Sequence, residues 1–111
     1  MTNSRAAFGD YLRAMIKQAK MSQAQFYTAV KITKPYFYDI LSGKVNPPPP
    51  EMQYTMIEKL GLEGPQRLEF LNLAAEGREE IPADIAGLIM NHPDQLDKVR
   101  DALKALFVTQ G

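Results

Sequence analysis

The 111-residue chain contains no cysteine, which excludes disulfides and thiolate metal sites. It has one histidine, His92, between Asn91 and Pro93. A lone imidazole without companion ligands reads as a loop or helix-cap residue, not a metal centre. No apolar run approaches the roughly 20 residues needed to cross a bilayer. The opening stretch MTNSRAAFGDYLRAM holds no signal-peptide core, so a cytoplasmic protein is expected. Glycine-rich phosphate loops, nucleophile-and-base pairs and repeats at solenoid periods are all missing. The expectation is a protein with no catalytic residues, no metal and no cofactor.

Formal net charge is also missing: 13 Lys/Arg balance 13 Asp/Glu. The zero hides a division. Residues 1–62 carry eight basic and four acidic side chains, a net +4; residues 63–111 carry five basic and nine acidic, a net −4. Such asymmetry is a recognised hint that the basic half meets nucleic acid, although +4 is also ordinary for a soluble domain. At 45% hydrophobic and 23% charged the composition is globular, enough for about one domain with a small appendage.

Periodicity gives about seven helices and no strand. Over residues 5–19, Phe8, Tyr11, Leu12, Met15, Ile16 and Ala19 follow the i, i+3, i+4, i+7 rule of a one-faced helix. Residues 22–43, SQAQFYTAVKITKPYFYDILSG, read as two short helices joined by a tight turn. Ser22 with Gln25 is a capping box. Thr33 starts the second helix, and Pro35 is tolerated in its first turn, where the N–H groups lack partners. Gly43 ends it in a left-handed cap. Phe26, Val30, Ile32, Phe37 and Ile40 supply the buried face.

Asn46 and the four prolines after it form a stiff connector that neither neighbouring helix absorbs. It reads as a rigid loop setting the start of helix four, with a proline-rich ligand for a partner as the alternative. Helix four is expected over residues 50–60, burying Met52, Met56, Ile57 and Leu60. Helix five is expected over residues 65–76, with Leu68, Leu71 and Ala75 on one side and Gly77 ending it. A sixth helix over residues 82–91 is expected to bury Ile85, Leu88 and Ile89. Pro93 opens the last, where Leu96, Val99, Leu103 and Leu106 are spaced 3, 4 and 3, the a/d spacing of a helix-pairing seam. That stripe fits intramolecular core or a dimer interface. The acidic run Glu76, Glu79, Glu80 and Asp84 looks like a charged loop more than a cation site.

On these residues the chain resembles the Cro/phage-repressor (Xre-type) helix-turn-helix proteins. The resemblance runs from Phe8 and Gly9 through Tyr11, Leu12 and Arg13. It continues through Met21–Ser22–Gln23, Ile32–Thr33, Ser42–Gly43–Lys44 and Asn46–Pro47, and closes at Ile57 and Leu60–Gly61–Leu62. Two positions depart from the pattern. Tyr27 stands where a small residue is expected, so its ring turns outward or the helix crossing widens. Lys31 stands where glycine is common, so it is left-handed or the turn differs.

The resemblance implies an all-α, lambda-repressor-like helix-turn-helix bundle of about four to five helices with a small C-terminal helical extension. It divides the chain into a DNA-binding domain at 1–62 and an acidic extension at 63–111 for dimerisation or partner binding. It implies binding of double-stranded DNA by the helix that starts at Thr33, with the N-terminal end of that helix leading into the major groove. Facing outward would be Thr33, Lys34, Pro35, Tyr38, Asp39 and Ser42. Lys34 is the leading base reader, since lysine donates to guanine O6 and N7. Tyr38 reaches a phosphate or packs on a thymine methyl. Asp39 faces a cytosine N4 donor or pairs with a basic side chain. Gln23 matches a family position that contacts the DNA backbone, and Lys44 and Asn46 are phosphate contacts, with Lys20 and Lys31 secondary. The implied function is a dimeric repressor reading an inverted repeat. The alternative is an antitoxin-type protein whose acidic region grips a protein partner.

Overall fold

The computed structural model describes residues 3–108, and every regular element among them is a helix. In chain order the elements are α1 (Ser4–Gln18), α2 (Gln23–Ala29), α3 (Lys34–Ser42), α4 (Pro50–Leu60), α5 (Gly64–Arg78), α6 (Ala83–Met90), a 3₁₀ turn (Pro93–Gln95) and α7 (Leu96–Val108). No helix among the described residues is long and apolar enough to cross a membrane.

Helices α1 to α5 form one bundle around a shared core, and α6 and α7 make the C-terminal extension. Phe8, Phe26, Phe37 and Phe70 are each wholly buried, one from each of α1, α2, α3 and α5. Phe8 and Phe70 meet edge to face at 5.1 Å between centroids, and Phe26 and Phe37 lie 5.9 Å apart. Aromatic pairs in such geometries add to the apolar area they bury. Helix α1 is the central element, packing along both α3 and α5.

The α1–α3 crossing is unusually close. A Cβ on Gly9 would collide with the backbone carbonyl of Leu41. At the same crossing Gly43 adopts φ +79°, and a Cβ there would lie 2.8 Å from the Ala6 nitrogen. Gly43 therefore serves both as the left-handed cap of α3 and as the gap into which α1 fits.

The first half of the proline run is packed, and Pro49 and Pro50 are exposed. Pro47 and Pro48 are wholly buried. The Pro48 carbonyl accepts a hydrogen bond from Gln53 Nε2 at 2.8 Å, and the Pro47 carbonyl accepts one from Arg78 at 3.0 Å. Arg78 also grips Glu80 through two nitrogens at 2.9 and 3.0 Å, which holds the Glu80 carboxyl below its usual pKa range. Prolines committed to the core in this way are not available as a ligand for another domain.

Several expectations need correction. Gly77 does not end α5. The helix continues to Arg78, and Glu79 takes the left-handed cap at φ +56°. Gly77 is instead a contact residue, since a Cβ on it would come within 2.7 Å of Pro47 Cγ. On α5 Leu71 and Ala75 are buried as expected, together with Phe70 and Ala74, whereas Leu68 is half exposed. This face follows from packing on α1, whose Tyr11 hydroxyl also donates to the Gln66 carbonyl of α5 at 3.1 Å. Helix α5 thus adds side chains to the same core as α1 to α4. On α6, Ile85, Leu88 and Ile89 are not buried; Leu88 is 65% exposed. Helix α6 touches mainly α5 and the following turn, so its outer face is left largely uncovered among the described residues. The last helix begins with a 3₁₀ turn, leaving α7 proper to start at Leu96. Leu96, Val99, Leu103 and Leu106 are not intramolecular core: no residue of α7 is buried.

The two departures from the family pattern resolve differently. Lys31 is left-handed, at φ +61°. Tyr27 is half-buried with its ring 5.5 Å from Phe37, packed at the edge of the core.

Two substitutions test this account with opposite signs. Gly9→Ala should destabilise the chain by about 3 kcal/mol, because backbone, not a flexible side chain, must move. Lys31→Gly should stabilise it by about 0.5–1 kcal/mol, the relief of left-handed strain less the added freedom of the unfolded chain. Chemical denaturation of both variants measures the difference.

Candidate nucleic-acid interface

The candidate surface is built from the sequence signals at the starts of α2 and α3. Ser22 caps α2 with both halves of the capping box formed: its Oγ accepts from the Gln25 N–H at 3.0 Å, and Gln25 Oε1 accepts from the Ser22 N–H at 2.8 Å. The turn between the helices closes through Lys31 N–H to the Thr28 carbonyl and Ile32 N–H to the Tyr27 carbonyl, at 3.1 and 3.0 Å. Thr33 then caps α3, its Oγ1 accepting from the Tyr36 N–H at 3.3 Å, with Pro35 in the first turn.

Helix α3 divides cleanly by face. Phe37, Ile40 and Leu41 are buried against α1 and α2. Thr33, Lys34, Pro35, Tyr38 and Ser42 are exposed, and Asp39 is half-buried. Tyr36 lies between the two directions, half-buried at the edge of the core. The structure thus brings six of the nine anticipated DNA-binding residues onto the outer face of one helix. Gln23 joins them from α2: its Oε1 accepts a hydrogen bond from the Tyr38 hydroxyl at 3.1 Å. That bond leaves the Gln23 amide nitrogen as a donor and fixes the Tyr38 ring across the gap between the helices. No sequence signal pairs these two residues, because their meeting depends on how α2 crosses α3.

Lys44 and Asn46 are exposed just beyond the Gly43 cap. The Lys44 N–H bonds back to the Asp39 carbonyl at 3.0 Å, which sets where the side chain leaves the helix end. The same carbonyl accepts from the Ser42 hydroxyl at 3.2 Å. Among the described residues the Asp39 carboxylate forms no ion pair, so the basic partner considered for it is not supplied by this chain. Lys20 is left-handed at φ +59°, in the turn before α2. Leu96, Val99, Leu103 and Leu106 belong to a different part of the molecule, the exposed helix α7. Among the described residues no three His, Cys, Asp or Glu side chains gather where they would hold a metal ion.

The arrangement can offer hydrogen-bond donors and one cation at the leading end of a protruding helix, with a second cation at its trailing end. Against that geometry, the helix-turn-helix domain family matches residues 7–70, more than half of the chain. The chain belongs to the helix-turn-helix domain family. Comparison with curated proteins and with solved structures returned no match. The helix-turn-helix match begins just before Phe8 and runs through Phe70, so it spans α1 to α4 and the first half of α5. Its end lies among the α5 residues that fill the core.

The helix-turn-helix geometry rests on the cap of α3. Thr33→Ala should lower stability by about 1 kcal/mol, and Thr33→Ser should recover most of it. Thermal unfolding of the pair checks whether the hydroxyl or the methyl matters.

Proposed function

We propose that this helix-turn-helix protein is a sequence-specific regulator that binds double-stranded DNA as a homodimer and represses transcription from an inverted repeat. The observation that carries the reading is the division of α3. Its inner face is wholly consumed by the core, while its outer face has no intrachain cover among the described residues. A helix held rigidly from behind and open in front is what insertion into a major groove needs.

In this reading Lys34, at the leading end, donates to a guanine edge. Thr33, Pro35 and Ser42 shape the contact with neighbouring bases. Tyr38, oriented by Gln23, packs on a thymine methyl or meets a phosphate. Asp39, unpaired within the chain, accepts from a cytosine amino group. Gln23, Lys44 and Asn46 hold phosphates and so position α3 without choosing sequence. Two-fold symmetry would place the half-sites about 34–36 Å apart, one turn of the double helix. With three to four phosphates neutralised by each subunit, the log–log salt slope should be about −5 to −7.

The antitoxin-type reading uses the same DNA-facing helix and gives the C-terminal extension to a protein partner. The exposed apolar residues of α6 and α7 favour some protein contact there.

Selection of bound duplexes from a random pool tests recognition, symmetry and spacing together. A two-fold symmetric consensus is expected; enrichment of no sequence would reject the proposal. Lys34→Ala should relax preference at one base position by about 1–3 kcal/mol. Lys44→Ala should weaken all sequences alike and reduce the magnitude of the salt slope by about one. Titrations of both variants at several salt concentrations separate the two roles.

A further inference from the structure

Two surfaces of the C-terminal extension lack a partner. The first is the apolar ridge of α7, where Leu103, Leu106 and Phe107 lie on one side of the helix and are 45%, 62% and 61% exposed. Helix α7 packs to any extent only on the 3₁₀ turn that precedes it. The second is a groove of about 770 Å³ between α4 and α6, lined by Tyr54, Ala86, Gly87 and Met90. The bundle is correspondingly extended, with a radius of gyration of 16.0 Å against about 13 Å for a compact chain of this size.

We infer that these surfaces cover one another between two copies of the chain: α7 of one subunit docks in the α4–α6 groove of the other, and the exchange is reciprocal. The inference rests on the dimeric reading above and specifies how that dimer is built.

Three observations select a second copy as the occupant. The ridge and the groove are on the same chain, so a two-fold exchange covers both at once and counts each contact twice. Two α7 helices, each about 20 Å long, give the exchange enough length to approach the roughly 800 Å² per partner of a stable interface. Their charges are also complementary. The charged residues lining the groove are Glu79 and Glu80, with no cation among the lining residues; Arg78 already grips Glu80, which leaves Glu79 as the acid with no ion pair among the described residues. Helix α7 carries Lys98, Arg100 and Lys104 against Asp97 and Asp101, and Arg100 is already satisfied by Asp97 at 2.9 Å. Lys104, which flanks the ridge next to Leu103, is left to meet Glu79 at the groove's edge.

Gly87 gives a clean handle. Nothing lies within 4 Å of a Cβ built there, so a side chain at this position fills the groove without disturbing the subunit's own packing. The experiment is sedimentation velocity of the full chain over a concentration series, without DNA. The parent should dimerise. Gly87→Gln, which blocks the groove, and Leu106→Glu, which spoils the ridge, should each weaken association by about tenfold or more while circular dichroism stays helical. Mixed in equal amounts the two variants should associate more tightly than either alone, since one contributes an intact α7 and the other an intact groove. A monomeric parent would overturn the inference. So would a Gly87→Gln chain that dimerises as well as the parent, because the subunits would then meet elsewhere, as in direct pairing of two α7 seams. A mixture no tighter than its components also overturns it. As DNA is absent throughout, none of these failures bears on recognition by α3.

Discussion

Two glycines let α1 and α3 meet backbone to backbone, and the rest of the structure depends on that contact. At Gly9 the neighbour is the Leu41 carbonyl; at Gly43 it is the Ala6 backbone. Side chains at either position would force the helices apart. The close approach lets Phe37, Ile40 and Leu41 sink completely into the core while α3 stays short and its other side stays open. Rigidity and exposure of the same helix thus have one cause. A longer or more deeply wrapped helix would gain buried area and lose the surface that meets a ligand.

The same core reaches further along the chain than its charge pattern suggests. Phe70 on α5 locks onto Phe8 on α1, and the buried prolines connect the end of α3 to the start of α4. Arg78 ties the end of α5 to the Pro47 carbonyl, and Gly77 lets that strap lie against the helix. Beyond this clasp the packing stops. Helices α6 and α7 keep the hydrophobic periodicity of packed helices, but among the described residues only Ala83 at the start of α6 reaches the core and no residue of α7 is buried. Large apolar side chains stand exposed over these two successive helices.

Much of this was legible in the sequence because local signals determine it. The Ser22–Gln25 capping box, the Thr33 cap, Pro35 in a first turn and the Gly43 cap all act over a few residues, and each is formed as its residue type dictates. The buried face of α3 followed from spacing alone. What was not legible depends on distant parts of the chain. Gly77 has the composition signal of a helix stop, yet its role is set by Pro47, thirty residues earlier. Ile85 and Leu88 carry core periodicity, but whether a periodic face is covered depends on a neighbour that periodicity does not reveal. The Tyr38–Gln23 bond and the α4–α6 groove likewise arise only when helices cross. Lys31 shows the intermediate case: the turn requires a left-handed residue, and the structure supplies one at a conformational cost that glycine would not incur.

The central claim is that α3, fixed from behind by α1, offers its leading end to duplex DNA. Backbone amide chemical-shift mapping during titration with a duplex that the protein binds tests it most directly. The account predicts the largest changes at residues 33–38, with smaller ones at Gln23, Lys44 and Asn46, and little response from Phe8 or Phe70. Changes confined to the C-terminal extension, with the start of α3 silent, would contradict it.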